Sequence, residues 1–230
     1  VSCNYFFYEL GYRQTWDMLD ETAKGLGLGE PTGIEVKEEK IGWRSNPESK
    51  KATYGTGVNS QYSGGDRVLS AIGQAENRFT PMQLCVYACT LANQGTRMKA
   101  TFLDRVVSAD YRSLILENEP EVVSEMLISD QTYETYMTGM RMVVTNDAAN
   151  MPYYNGTASA YFGGPQDKYG EGNGLWPLRN EVTVWAKTGT AEHSSGGSDH
   201  GAFICFAARN GEDPEVAVVI YGEKVAHGST

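Results

Sequence analysis

The chain has 230 residues, with 19 Lys and Arg against 29 Asp and Glu, for a formal net charge of −10. That balance excludes the basic footprint of a nucleic-acid binder, and equally a polybasic hold on an anionic membrane surface. Hydrophobic residues make up 40% and charged ones 21%, enough for a buried core and against wholesale disorder; no apolar run of about 18 residues marks a membrane span.

The sequence opens Val1-Ser2-Cys3-Asn4, without an initiator Met or a signal peptide, and we expect a fragment of a longer protein. Ser2 and Asn4 precede an aromatic segment that reads as a helix start. A hydroxyl and an amide two residues apart can relay a proton and bind a carbonyl; they can equally serve as an N-cap pair. From Thr15 to Lys24, Trp16, Leu19, Ala23 and Leu26 recur at helical spacing, and Gly25, Gly27 and Gly29 then stop the helix. Residues 30 to 78 read as a long irregular connection, interrupted by a strand-like piece, Gly33-Ile34-Glu35-Val36. Glu38 and Glu39 within it are expected to be solvated. Long connections of this kind are often functional.

Thr80-Pro81-Met82-Gln83 is the clearest helix start, with Thr at the N-cap, Pro at N1 and Gln at N3 completing a capping box. Leu84, Cys85, Ala88, Leu91 and Ala92 form its apolar stripe, and Gly95 ends it. Thr96-Arg97-Met98-Lys99 then shows the spacing of a nucleophile–base pair but follows that helix end. A second helix is predicted from Ser129 to Val144, with Tyr133, Tyr136, Met137, Met140 and Val144 on its core face; its Met-rich stripe reads as packing rather than a cofactor site. Residues 147 to 180 return to Gly, Asn, Pro and Tyr, and include an Asn155-Gly156-Thr157 glycosylation sequon.

Three strand-like stretches close the chain. Val182, Val184 and Ala186 alternate with Thr183, Trp185 and Lys187; Ala202 to Ala207 and Glu215 to Tyr221 follow as apolar runs. The link from Ala191 to Asp199 is short and rich in Gly and Ser, which suits an antiparallel hairpin. A mainly helical part over residues 1–180 followed by antiparallel strands over 181–230 makes the fold class α+β. The four cysteines are too few for a disulfide scaffold. Cys85 and Cys89, one helical turn apart, suit buried packing better than a disulfide. His193, His200 and Asp199 raise the thought of a metal site, but a Gly/Ser loop holds ligands poorly, and a hairpin beside a cleft is the plainer reading.

Lys187-Thr188-Gly189-Thr190 lies at the end of a predicted strand. It offers a positive charge, two hydroxyls and a Gly that lets a ligand lie along the strand. Such an edge can pair with an extended peptide and hold a carboxylate. S-x-x-K, S-D-N and K-T-G together mark penicillin-binding proteins and class A β-lactamases. Ser2-Cys3-Asn4 and Lys187-Thr188-Gly189 stand in the order of the second and third. The landmarks between them extend the likeness: Gly27-Leu28-Gly29, Thr32-Gly33-Ile34-Glu35, Ile72-Gly73-Gln74, Thr80-Pro81-Met82-Gln83-Leu84, Leu91-Ala92-Asn93-Gln94-Gly95 and His200-Gly201-Ala202-Phe203. Across nearly its whole length, most weakly from about 105 to 180, the chain resembles the transpeptidase domain of class B penicillin-binding proteins.

The resemblance implies a D,D-transpeptidase that attacks the D-Ala-D-Ala end of a peptidoglycan stem peptide with a serine. The acyl-enzyme is then resolved by an amine of a neighbouring peptide, and β-lactams acylate the same serine. By the same likeness Ser2 passes a proton to the leaving amine, Asn4 binds the substrate's amide carbonyl, and Lys187 sets the local potential. Thr188 and Thr190 bind the terminal carboxylate, and the Thr190 N–H is an oxyanion donor. No Ser-x-x-Lys occurs in the sequence. The nucleophile is therefore expected upstream of Val1, in a missing N-terminal part of the same protein, and this piece alone is expected to be inactive and to expose apolar surface. The parent is expected on the extracytoplasmic face of a bacterial membrane, tethered by a helix outside this chain, with no metal or organic cofactor implied. A serine β-lactamase or D,D-carboxypeptidase is the second reading, disfavoured by the long stretch from Asn4 to Lys187; a non-catalytic β-lactam sensor or scaffold domain is the third.

Overall fold

The computed structural model describes residues 2–145, 156–162, 181–192 and 197–225. The predicted sequon residue Asn155, as well as His193, lies outside them. Among the described residues, no helix is long and apolar enough to cross a membrane.

The fold is α+β. Helix α1 (Asn4–Arg13) is followed by α2 (Trp16–Gly25), whose N-cap is Thr15, accepting from the Met18 N–H at 3.4 Å. The connection after it is less irregular than its composition suggests. It contains α3 (Pro47–Tyr54) and α4 (Gly64–Ser70), each opened by a capping box, Asn46 with Ser49 and Ser63 with Asp66. These helices are short and weakly amphipathic, so periodicity does not announce them, whereas their caps do. The Lys50 ammonium joins them by pairing with Asp66 and lies 3.9 Å from Glu76. Buried in part and shared between two carboxylates, it titrates above the ordinary lysine range, and Asp66 below the carboxylate range, through hydrogen bonds from Lys50 and Ser63 that outweigh burial.

Gly33–Val36 is not a strand. The turn is organised instead by Glu39, which is half-buried and accepts from both the Thr32 N–H at 2.9 Å and the Thr32 hydroxyl at 2.6 Å. This corrects the expectation that Glu39 is simply solvated. Local side-chain bonds of this kind compete with strand pairing.

Helix α5 (Pro81–Ala92) begins as expected, with the full capping box of Thr80 and Gln83. Gln83 is fully buried and does more than cap: its amide donates to the Glu30 and Ile41 carbonyls at 2.9 and 2.7 Å, tying down the preceding loop. Cys85 and Cys89 lie on one side of this helix as free thiols; a hydrogen bond from Cys89 holds the Cys85 thiol below the ordinary cysteine range, against the effect of burial.

Residues 96 to 125, within the part expected to be mainly helical, form two short antiparallel ladders. Strand β1 (Thr96–Met98) pairs with β4 (Val122–Glu125), and β2 (Arg105–Val107) pairs with β3 (Leu114–Glu117). Strands of three or four residues leave no alternation to detect, and all of β3 is exposed. Thr96 starts β1, so its spacing to Lys99 reflects an extended strand and not a nucleophile helix.

Helix α6 (Asp130–Val144), capped by Ser129, and the short α7 (Ser159–Phe162) precede the main sheet. Its strands β5 (Val182–Ala191), β6 (His200–Arg209) and β7 (Val216–Gly222) are antiparallel in the order β5-β6-β7. The period of two along β5 divides the core. Val184 and Ala186 pack with Val143, Val144 and Ala158, while Trp185 stacks on Phe206 and meets Ala88, Leu91 and Met137. The Met-rich face of α6 is therefore core, as its pattern indicates. On β7, Val216, Val218 and Ile220 remain exposed, which agrees with the apolar surface expected.

Candidate functional site

A cleft of about 500 Å³ opens between the start of α1, the end of α4 and strand β5. All six residues singled out from the sequence line it: Ser2 and Asn4 from the start of α1, and Lys187, Thr188, Gly189 and Thr190 from the end of β5. The Lys187 ammonium donates to Ser2 Oγ at 2.9 Å across 185 positions of sequence, and also to the Thr188 carbonyl. Cys3 is the N-cap of α1 but makes no side-chain cap bond. Ser2 is thus engaged by Lys187, and the N-cap-pair alternative is not realised.

Among the described residues, strand β5 sits at one edge of its sheet. The Val184, Thr188 and Thr190 carbonyls, all of one parity, accept respectively from Arg141 at 3.0 Å, from Lys187 and from Gln74 at 3.5 Å. In an antiparallel ladder a residue's N–H and C=O point to the same side. The Thr188 and Thr190 amides therefore point away from β6, toward the cleft. Gly189 presents no side chain there, and a Cβ built on it would meet only Ala202, at 3.6 Å or more.

Lys187 is the one cationic side chain among the described residues lining the cleft, which Glu192 and Asp199 also line. Burial pushes the Lys187 ammonium below its ordinary value, because desolvation disfavours the charged form. Thr188 is buried and Thr190 exposed. The arrangement offers a lysine-bonded hydroxyl, an amide, two threonine hydroxyls and the backbone amides of Thr188 and Thr190 around one volume. That set can polarise a carbonyl, hold a carboxylate and pass a proton along Ser2.

Residues not assigned a role from sequence also line it: Tyr8, Leu69, Ile72, Gln74, Ala75, Thr157, Glu192 and Asp199. Of these, Ile72 and Gln74 belong to one of the landmark segments, which was the available signal. His200 opens β6, where its Nδ1 accepts from the Lys224 N–H at 3.3 Å. Among the described residues, no group of three His, Cys, Asp or Glu is placed to hold a metal ion.

Residues 1–230 match the family described as the penicillin binding protein transpeptidase domain. The peptidoglycan D,D-transpeptidase MrdA of Escherichia coli is 29% identical over 232 residues, covering 99% of this chain and 33% of the relative. Penicillin-binding protein 2B of Streptococcus pneumoniae is 25% identical over 222 residues, 94% of this chain and 28% of the relative. The solved penicillin-binding protein PBP2 from Helicobacter pylori shares the fold with a TM-score of 0.67 at 22% identity, over 98% of this chain and 35% of that one. The chain thus spans about a third of the length of the curated relatives it matches.

Proposed function

Because the chain belongs to the penicillin-binding protein transpeptidase domain family, we propose that it forms part of a D,D-transpeptidase that cross-links peptidoglycan stem peptides through a serine acyl-enzyme. The observation that carries this reading is the bond from Lys187 to Ser2, which closes the two ends of the chain around one cleft.

Each residue then has a task that its geometry suits. Ser2 accepts from the Lys187 ammonium, which leaves its own O–H free to hand a proton to the leaving amine. Asn4 donates to the substrate's amide carbonyl. The backbone of β5 from Lys187 to Thr190 receives the peptide as an added strand, and Gly189 lets it approach. The Thr188 and Thr190 hydroxyls hold the terminal D-Ala carboxylate in the field of Lys187. The Thr190 N–H, turned away from β6, stabilises the oxyanion; loss of such a donor costs about 3–4 kcal/mol in the transition state.

No Ser-x-x-Lys occurs in the 230 residues, so we assign the acylated serine and its base to sequence beyond them, within the same catalytic domain. On this reading residues 1–230 are the C-terminal portion of that domain. β-Lactams, which share the carboxylate beside a reactive amide, are the natural inhibitors; the Mycobacterium tuberculosis relative penicillin-binding protein A has been captured as imipenem and penicillin G acyl-enzymes. A peptidoglycan substrate places the enzyme on the extracytoplasmic face of a bacterial membrane, with its tether outside this chain.

The test is nitrocefin with the complete protein. A transpeptidase acylates once and stalls, giving a stoichiometric burst. Sustained turnover would instead make it a β-lactamase, and no reaction would favour a sensor or scaffold.

A further inference from the structure

Thr157 stands in the cleft beside Thr188, with their Oγ1 atoms 2.9 Å apart. Nothing in the motif pattern points to it. The segment that carries it is held against the end of α6 and by a bond within itself. A Cβ on Gly156 would lie 2.3 Å from the Met142 carbonyl oxygen, so this backbone is pressed onto the end of α6. The Ala158 N–H donates to the Val143 carbonyl at 2.9 Å, and the Ser159 hydroxyl to the Gly156 carbonyl at 2.8 Å. Gly156, Ala158 and Ser159 are buried, whereas Thr157 is exposed into the cleft. A rigid mount thus presents one hydroxyl to another.

Two hydroxyls in contact share one proton between their oxygens and have one left over. If Thr188 donates, the spare hydrogen sits on Thr157, and Thr188 shows only lone pairs to the cleft. If Thr157 donates, Thr188 keeps its O–H for a ligand. A carboxylate accepts only, so it selects the second order, and the chain Thr157 O–H to Thr188 O–H to carboxylate polarises along its length. Resting on the carboxylate reading given above, we propose that Thr157 is a positioning residue that sets the Thr188 hydroxyl as a donor to the ligand's carboxylate.

The experiment uses the complete transpeptidase, with benzylpenicillin as the free acid and as its methyl ester. Wild type is compared with Thr157→Val, Thr157→Ala, Thr157→Ser and Thr188→Val. For the free acid, Thr157→Val and Thr157→Ala should raise the half-saturating concentration about tenfold, the scale of one hydrogen bond to a charged group, with the limiting acylation rate unchanged. The ester should be unaffected, Thr157→Ser should restore the wild-type value, and Thr157→Val should add nothing in a Thr188→Val background. Equal losses for acid and ester would reduce Thr157 to a packing residue and overturn the inference. So would a Thr188→Val variant that loses acid preference while the Thr157 variants keep it. If Thr188→Val itself keeps the preference for the acid, the carboxylate reading of Thr188 fails, and the inference with it.

Discussion

The two walls of the cleft are built in different ways. The β5 wall is backed on both faces: Ala186 is 0% and Phe206 1% exposed, and the strand is hydrogen-bonded to β6 along its whole length. The α1 wall carries Asn4 at the start of the helix and Ser2 just before it, and the helix's Tyr5 and Phe6 are 80% and 60% exposed. It meets α4 where Gly11 lies against Ala71, with the Arg67 guanidinium donating to the Tyr12 carbonyl at 3.0 Å, and it reaches β5 through the bond from Lys187 to Ser2. One wall is positioned by a core and the other by a close contact and a polar bond. The proposed proton relay must be placed accurately, but its placement depends on far less buried surface than that of the proposed carboxylate site.

The contrast can be broken most severely in the core. Phe206→Ala removes a fully buried ring stacked 5.7 Å from Trp185, and should cost about 3–5 kcal/mol in urea unfolding. A cost near zero would mean that β5 is not held by its core. The next test is local. A methyl at Gly11 would sit 2.6 Å from the Ala71 Cβ, so Gly11→Ala should cost about 1–3 kcal/mol by overpacking. Amide exchange should quicken in α1 and not in β5, and Ala71→Gly should rescue it. Equal loss of protection in both elements would show that the walls are not independent.

Lys187 sharpens the comparison through pH. Burial holds its pKa below that of an unfolded lysine. Between those two values the unfolded chain binds more protons, so stability rises with pH across that window. Lys187→Met should abolish the rise while leaving the protein at least as stable at neutral pH, and still weaken carboxylate ligands. A fall in stability at neutral pH would mean that the buried ammonium is better solvated than its setting indicates. The smallest effect is expected at Gln74, whose bond to the Thr190 carbonyl is 3.5 Å long: Gln74→Ala should cost under about 1 kcal/mol in thermal unfolding.

How much of this is legible in sequence follows the same division. The elements that build the β5 wall carry strong local signals: the Thr80-Pro81 start of α5, the Tyr and Met stripe of α6, the alternation before Lys187 and two apolar runs. Each agrees with its tertiary role, so pattern and structure coincide. The parts that place α1 do not. Helices α3 and α4 are set by caps and by Lys50 between Asp66 and Glu76, pairings distant in sequence that no periodicity reveals. The grouping of Ser2 and Asn4 with Lys187 was visible through family motifs and not through spacing. Thr157 was quoted only as part of a sequon, because its partner lies 31 positions away.

On the proposed reading, this cleft serves an acylation whose nucleophile is a different serine. Treating the complete protein with a labelled penicillin and mapping the product by mass spectrometry should find one adduct, on a serine outside residues 1–230, which forms more slowly in Lys187→Met. An adduct on Ser2, or none at all, would rule that reading out.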